Sequence, residues 1–257
     1  MTDRPHGAPD LRAPDLKDLS ASLRAGLRDF AAAPMMGLFF AGVYVLGGVI
    51  MAAITYATGT TFWLILAVLG FPLIGAFAAL GLYEISRRRQ AGETLDFNQI
   101  TRVVWDEKNG QLPWLAVMVV VLFLFWFFLG HMIFALFLGL SPMTNVSTSV
   151  DMYLTPDGLT MLLFGSAVGA AFASLTFAMS VLGMPMLLDR DVDFITALTR
   201  SIGAVAQAPV IYLGWGAFIA AVTLAAMLPA FLGLFLAMPI LGHATWHLYK
   251  RVSSPAQ

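Results

Sequence analysis

Residues 204–249 read AVAQAPVIYLGWGAFIAAVTLAAMLPAFLGLFLAMPILGHATWHLY, and the number of times this block crosses a membrane decides the fold. As one helix it would run roughly 69 Å, more than twice a hydrocarbon core of ~30 Å. Pro229 stands near its middle, where a proline removes a backbone N–H and crowds the preceding turn. Divided there into Pro209–Met227 and Leu228–Leu248, the block supplies two crossings. Four other blocks each have the ~20 apolar residues of a spanning helix. They are Met35–Tyr56, Phe62–Tyr83, Leu112–Leu140 and Gly158–Leu188. The expectation is six spans, with short turns at Ala57–Thr61 and near Pro229.

Composition points the same way. Of 257 residues 59% are hydrophobic and 11% charged, against roughly 25% charged in soluble domains. A formal net charge of -1 gives no bulk basic character for nucleic acid. The absence of cysteine excludes disulfides, thiolate metal sites and Cys-linked haem. No short apolar stretch with a cleavage site opens the chain, so the first span is expected to act as an uncleaved anchor.

Charge segregation tests the span count. With six spans, both termini and the loops after spans two and four share one side. That side holds all 14 Lys and Arg residues: five before span one, Arg87, Arg88, Arg89, Arg102 and Lys108 after span two, Arg190 and Arg200 after span four, and Lys250 and Arg251 at the end. The positive-inside rule then puts both termini in the cytoplasm. The far loop Ser141–Asp157 carries Asp151 and Asp157.

Three stretches share one pattern: an Asp, an apolar residue, an Arg, then a Pro at the mouth of a span. They are Asp18-Leu19 with Arg24 and Pro34, Asp96-Phe97 with Arg102 and Pro113, and Asp193-Phe194 with Arg200 and Pro209. This predicts three parallel units, roughly 15–90, 94–191 and 192–251, each a short amphipathic helix followed by a span in and a span back. The three Asp residues are read as helix caps. The stripes Leu16, Leu19, Leu23, Leu27, Phe30; Phe97, Ile100, Val104; and Phe194, Leu198, Ile202, Val205 are read as faces toward the protein or the headgroup layer, with Arg24, Arg102 and Arg200 at the interface. Residues 1–14 are expected as a disordered polar segment and 252–257 as a tail. The fold class is thus an all-α membrane protein with one six-span domain over 15–251.

Candidate sites are few. No Asp, Glu, Lys or Arg lies within the six cores, which counts against ion-driven transport. His243 and His247 are four apart on one face, the spacing of a weak metal or haem pair; with Trp246 and Tyr249 they also read as an interfacial belt. His131 lies at a different depth. Glu84 and Asp189 at span ends are expected to pair locally, with a shared cytoplasmic polar site as the alternative. Gly165, Gly169 and Ala173 put small residues on one face of span four for helix packing. The bulky run Leu122–Phe128 is read as lipid-facing. No cofactor, metal or catalytic motif is expected.

The segments from Pro72 to Glu84, Leu188 to Phe194 and Leu241 to Tyr249 resemble a family of uncharacterised bacterial integral membrane proteins, domain of unknown function 2189, over nearly the whole chain from Leu16 to Arg251. Some relatives carry a label suggesting cytochrome oxidase subunit I. Three membrane histidines at unlike depths do not fit that identity, and the resemblance implies at most an association with respiratory complexes. The expected role is a non-enzymatic helper of another membrane complex, with lipid and membrane subunits as partners. A channel or carrier for a small neutral or lipidic solute is the alternative.

Overall fold

The computed structural model describes residues 4–59, 64–139 and 153–253, with 64–73 in backbone only. It contains α1 (Leu16–Ala32), α2 (Pro34–Thr58), α3 (Leu64–Ala91), α4 (Phe97–Asp106), a 3-10 turn (Glu107–Asn109), α5 (Leu112–Leu138), α6 (Pro156–Ser180), α7 (Gly183–Asp189), α8 (Phe194–Gln207), α9 (Pro209–Met227) and α10 (Leu234–Val252). Four helices are long and apolar enough to cross a membrane: α2, α5, α6 continued through α7, and α9. This is a multi-pass integral membrane protein. Of the six expected spans, the one ending at Leu248 falls in α10, whose second half carries His243, His247, Lys250 and Arg251. Most of the far loop, and Thr60 to Trp63, lie outside the described residues.

Prolines and caps set the boundaries. Pro34, Pro156 and Pro209 are the first residues of α2, α6 and α9, and Pro113 is the second of α5. Their missing N–H is one a helix start leaves unpaired anyway. Asp96 and Asp193 cap α4 and α8 by accepting from the Gln99 and Thr196 amides. The first unit differs from the sequence expectation. Its cap is Asp15, and Asp18 is the third helical residue, returning a bond to the Asp15 amide in a capping box. The helix therefore starts one turn earlier.

The break near Pro229 is real but longer than expected. Helix α9 ends at Met227 and α10 begins at Leu234 rather than Leu228. In between, Ala230 and Phe231 take positive φ of 50° and 66°. The Phe231 ring packs on Gly48 of α2, where a Cβ would come within 2.6 Å of it. The span expected at Gly158–Leu188 also breaks, between α6 and α7. There the Ser201 hydroxyl of α8 donates to the Ala178 carbonyl at 2.6 Å and accepts from the Leu182 amide at 3.2 Å. It stands in the place of the direct 182-to-178 helix bond, an insertion that kinks helices.

The short amphipathic helices pack against other helices of the bundle: α4 on the preceding α3, α8 on the preceding α6 and α7, and α1 on α10 from the other end of the chain. The long helices pair as α2 with α3, α5 with α6 and α9 with α10, and these pairs meet through α3 with α5, α6 with α9 and α10 with α2. At the polar end α3, α7 and α10 converge on a core that includes Leu80, Tyr83, Leu182, Met186, Trp246 and Tyr249. The contact faces of α1 and α8 are built mainly of small residues, with Leu19, Leu23, Phe194 and Ile202 of the bulky stripes packed partly buried beside them and Val205 fully among them. Helix α1 buries Asp18, Ser22, Ala25, Gly26 and Asp29, while Leu16 and Leu27 are exposed. Helix α8 buries Ala197, Ser201, Ala204 and Val205. Small residues let backbones approach: a Cβ on Gly26 would stand 2.5 Å from the Ile240 carbonyl oxygen. Leu16 and Leu27 are left at the rim.

Residues 4–14, expected as disordered, lie across the polar end. The Arg4 guanidinium donates to the Leu187 carbonyl at 2.9 Å and pairs with Glu107. Asp191 exchanges backbone bonds with this strap, accepting from the Gly7 amide at 3.2 Å and donating to the Pro5 carbonyl at 3.0 Å, and the Arg12 amide donates to the Val252 carbonyl at 3.0 Å. Few of these residues are apolar, so composition alone gave no sign of the docking. Specific bonds supply it.

Candidate functional site

The most elaborate polar cluster lies where α1, α3 and α10 meet. Ser86, Arg89 and Gln90 share one face of α3, and His243, Trp246 and His247 one face of α10, by i, i+3, i+4 spacing. Asp29, in the last turn of α1, faces both. Its Oδ1 accepts from Arg89 Nε at 2.8 Å and its Oδ2 from Ser86 Oγ at 2.7 Å. His247 Nε2 is 2.7 Å from the same Oδ2. His243 Nδ1 is 2.8 Å from Ser86 Oγ. Gln90 Nε2 is 3.0 Å from His247 Nδ1, and Trp246 Nε1 donates to Gln90 Oε1 at 2.9 Å.

These contacts determine where the protons sit. An indole N–H can only donate, so Gln90 Oε1 is the acceptor and its amide nitrogen faces His247. His247 Nδ1 must then accept, and its proton resides on Nε2, directed at Asp29. Ser86 gives its single proton to Asp29, so His243 donates from Nδ1 to Ser86. That leaves His243 Nε2 as a buried lone pair without a partner. Burial alone would push the Asp29 carboxyl up. Hydrogen bonds from His247, Ser86 and Arg89 outweigh it and hold the group down to about 2.

The geometry corrects several sequence expectations. His243, Trp246, His247 and Tyr249 are buried rather than interfacial. The contacts they make are polar or aromatic ones inside the bundle: Trp246 stacks on Tyr83 at 6.5 Å, and the Tyr249 hydroxyl donates to Asp189 at 2.9 Å. His243 and His247 each face a hydrogen-bonding partner of the chain. Among the described residues no group of three His, Asp or Glu side chains is placed to hold a metal. Ser86, Asp29 and His243 do not form a nucleophilic triad. There the histidine stands between serine and carboxylate; here the serine does, and it is fully buried.

Three further ties surround this cluster. Glu84 is gripped by Arg87, at 2.7 and 2.9 Å, and by Arg88 at 2.7 Å, and Arg88 reaches on to Gln99 of α4 at 2.7 Å. Asp189 receives Lys250 at 3.1 Å. Asp18 takes a two-pronged grip from Arg12, at 2.7 and 2.9 Å, which holds its carboxyl below the usual range. Arg24, Arg102 and Arg200 are exposed, as is the cap Asp193, while the cap Asp96 is half-buried. Asp18 is buried instead. Asp29, Ser86 and Gln90 went unnoticed in the sequence. The signal was the small-residue stripe Ser22, Ala25, Gly26, Asp29, which shares a face of α1 but is hidden by its own lack of bulk.

A second feature is a groove of about 380 Å³ between α5 and α6. It is lined by Leu122, Phe123, Trp126, Gly169, Phe172, Ala173, Thr176, Phe177 and Ser180. Gly165 and Gly169 face Ile133 and Trp126 of α5 at ordinary or slightly close range, so they admit bulky side chains rather than a second backbone. Ala173 is exposed in the groove. Phe125 and Phe128 point outward, 66% and 68% exposed. His131 is exposed on the same helix, 2.8 Å from the Phe127 carbonyl.

Residues 64–189 match the model of a family described as predicted integral membrane protein, domain of unknown function 2189. The match runs from α3 through α7. No curated protein and no solved structure matches the chain.

Proposed function

We propose that this chain, a predicted integral membrane protein of that family over residues 64–189, is a non-enzymatic accessory protein of another membrane complex. In this reading it crosses a bacterial cytoplasmic membrane six times, as three parallel units, with both termini in the cytoplasm. One observation carries the non-enzymatic part. Each buried carboxylate, Asp18, Asp29, Glu84 and Glu107, is engaged by an arginine: Arg12, Arg89, Arg87 with Arg88, and Arg4. Groups so paired are engaged in holding helices together. The repeated order of short helix, long helix, long helix supports the three units, and the clustered cations support the orientation.

The test is recovery of the chain from its native membranes in a mild detergent. A tagged chain should bring down defined membrane subunits in fixed ratio, reciprocally when a subunit carries the tag, and should migrate far above its own 27.7 kDa. A chain that migrates alone overturns the accessory role. A reporter fused at the C-terminus should be active only in the cytoplasm; a reporter active outside overturns the six-span topology.

The groove between α5 and α6 favours a second reading, a carrier for a lipidic solute. It opens on the lipid-exposed side, where Leu162, Leu163 and Phe125 stand exposed.

A further inference from the structure

We propose that the groove between α5 and α6 is a binding site for a lipophilic carbonyl compound, held by a hydrogen bond from Trp126. The inference is independent of the accessory role. The walls are apolar and aromatic: Phe123, Trp126, Phe172 and Phe177. A volume of about 380 Å³ is that of a small-molecule site. Within these walls two polar groups have no hydrogen-bond partner among the described residues, the Trp126 indole N–H and the Thr176 hydroxyl. Neither takes part in a hydrogen bond among the described residues, whereas Thr101, Thr160, Thr199 and Thr245 each donate to a carbonyl four residues back. The edge of the indole bearing Nε1 lies against Gly169, 3.3 Å from where a Cβ would stand. Glycine there keeps the N–H from being covered.

Position makes the vacancy informative. Trp126 is near the midpoint of α5, and Phe172 near the midpoint of the Pro156–Asp189 span. Water is scarce at that depth, and an unpaired donor in hydrocarbon costs several kcal/mol. An indole N–H requires an acceptor. Phospholipid acyl chains have none at mid-membrane, since their ester carbonyls sit at the interface. The occupant that satisfies both walls and donor is therefore an apolar molecule carrying a ketone, aldehyde or quinone oxygen. Thr176 can then donate to the same oxygen or accept from a hydroxyl beside it.

The test uses the full chain in phosphatidylcholine nanodiscs and an alkylated benzophenone, itself a lipophilic ketone that cross-links on illumination. Labels should fall on peptides holding Phe123–Trp126 and Phe172–Phe177. An alkylated fluorenone should compete about tenfold better than the matching fluorene, which has a methylene in place of the carbonyl; one hydrogen bond in an apolar site is of that size. Trp126→Phe should abolish the difference, the fluorenone and the fluorene then competing equally, with folding checked by circular dichroism. If that variant does not fold, Thr176→Val should narrow the difference. Equal competition by ketone and hydrocarbon overturns the proposal and makes the groove a seat for lipid chains. Labels elsewhere, or a groove shielded by a second copy or a co-purifying subunit, overturn it too.

Discussion

Helices α9 and α10 are consecutive, in contact, and 19 residues each. Helix α9 is apolar throughout and buries only Tyr212 and Trp215. Helix α10 carries two histidines, a threonine and a basic end, and buries twelve residues. The less apolar helix is the more buried one. In water that would be inverted; in a bilayer it follows from the solvent. Lipid accepts the side chains of α9 as readily as a protein core would, so nothing drives them inward. The polar groups of α10 have no partner in lipid and find them in α1 and α3 instead. Hydropathy in this chain therefore reports lipid contact, and the core is specified by small residues and hydrogen bonds.

The strongest way to break this contrast is to remove the carboxylate that α10 depends on. Asp29→Ala leaves Arg89 and His247 facing each other without a counter-ion. Removing one partner of a buried pair costs about 3–5 kcal/mol. Arg89 is partly exposed and can turn to water, so a loss of about 3 kcal/mol is expected. Thermal unfolding in detergent should fall accordingly, and α1 should become protease-sensitive first. An unchanged melting temperature would mean that α1 is held by other contacts.

A backbone probe sharpens it. Gly26 touches α10 so closely that a methyl group would meet the Ile240 carbonyl at 2.5 Å and the Ala244 amide at 2.8 Å. Neither can rotate away. Gly26→Ala should cost about 2 kcal/mol, despite alanine's better helix propensity. A neutral or stabilising result would show α1 and α10 free to move apart.

Acid offers a third handle. The folded Asp29 carboxyl sits at about 2, below its ordinary unfolded value of about 3.9. Its contribution is thus complete above pH ~4 and is lost as pH falls toward 2, on the order of 2 kcal/mol. Pepsin cleavage of α1 in detergent should be slow at pH 4 and rise toward pH 2. In Asp29→Asn that rise should be smaller, the remainder coming from Asp18 on the same helix. A variant that keeps the full pH response would place the titrating group elsewhere.

The same solvent argument explains what could be read beforehand. The α2, α5 and α9 crossings and the break near Pro229 were legible because hydropathy and proline act locally. The caps Asp96 and Asp193 were legible for the same reason. The tie at Asp29 was not, since it joins residues 218 positions apart and its neighbours on α1 are too small to register as a face. Trp246 and Tyr249 were misplaced because aromatic residues near a basic terminus look like an interfacial belt. Their polar tips in fact reach Gln90 and Asp189 inside the bundle.

The smallest effect is expected on α9 and α5, and it carries the other half of the contrast. Gly214 of α9 has nothing within 4 Å of where a Cβ would stand, and Phe125 of α5 is largely exposed. If these surfaces meet lipid alone, substitutions on them trade one lipid contact for another. Gly214→Ala and Phe125→Leu should then each change stability by within about 0.5 kcal/mol, the glycine change leaning toward stabilisation through the unfolded chain. The measurement is thermal unfolding in detergent beside Gly26→Ala. The two alanine variants add the same methyl group to helices of one protein, so their difference isolates the neighbour that methyl meets. A loss at Gly214 as large as that at Gly26 would mean that α9 is covered, by a second copy or by another subunit, and that its exposed face is an interface.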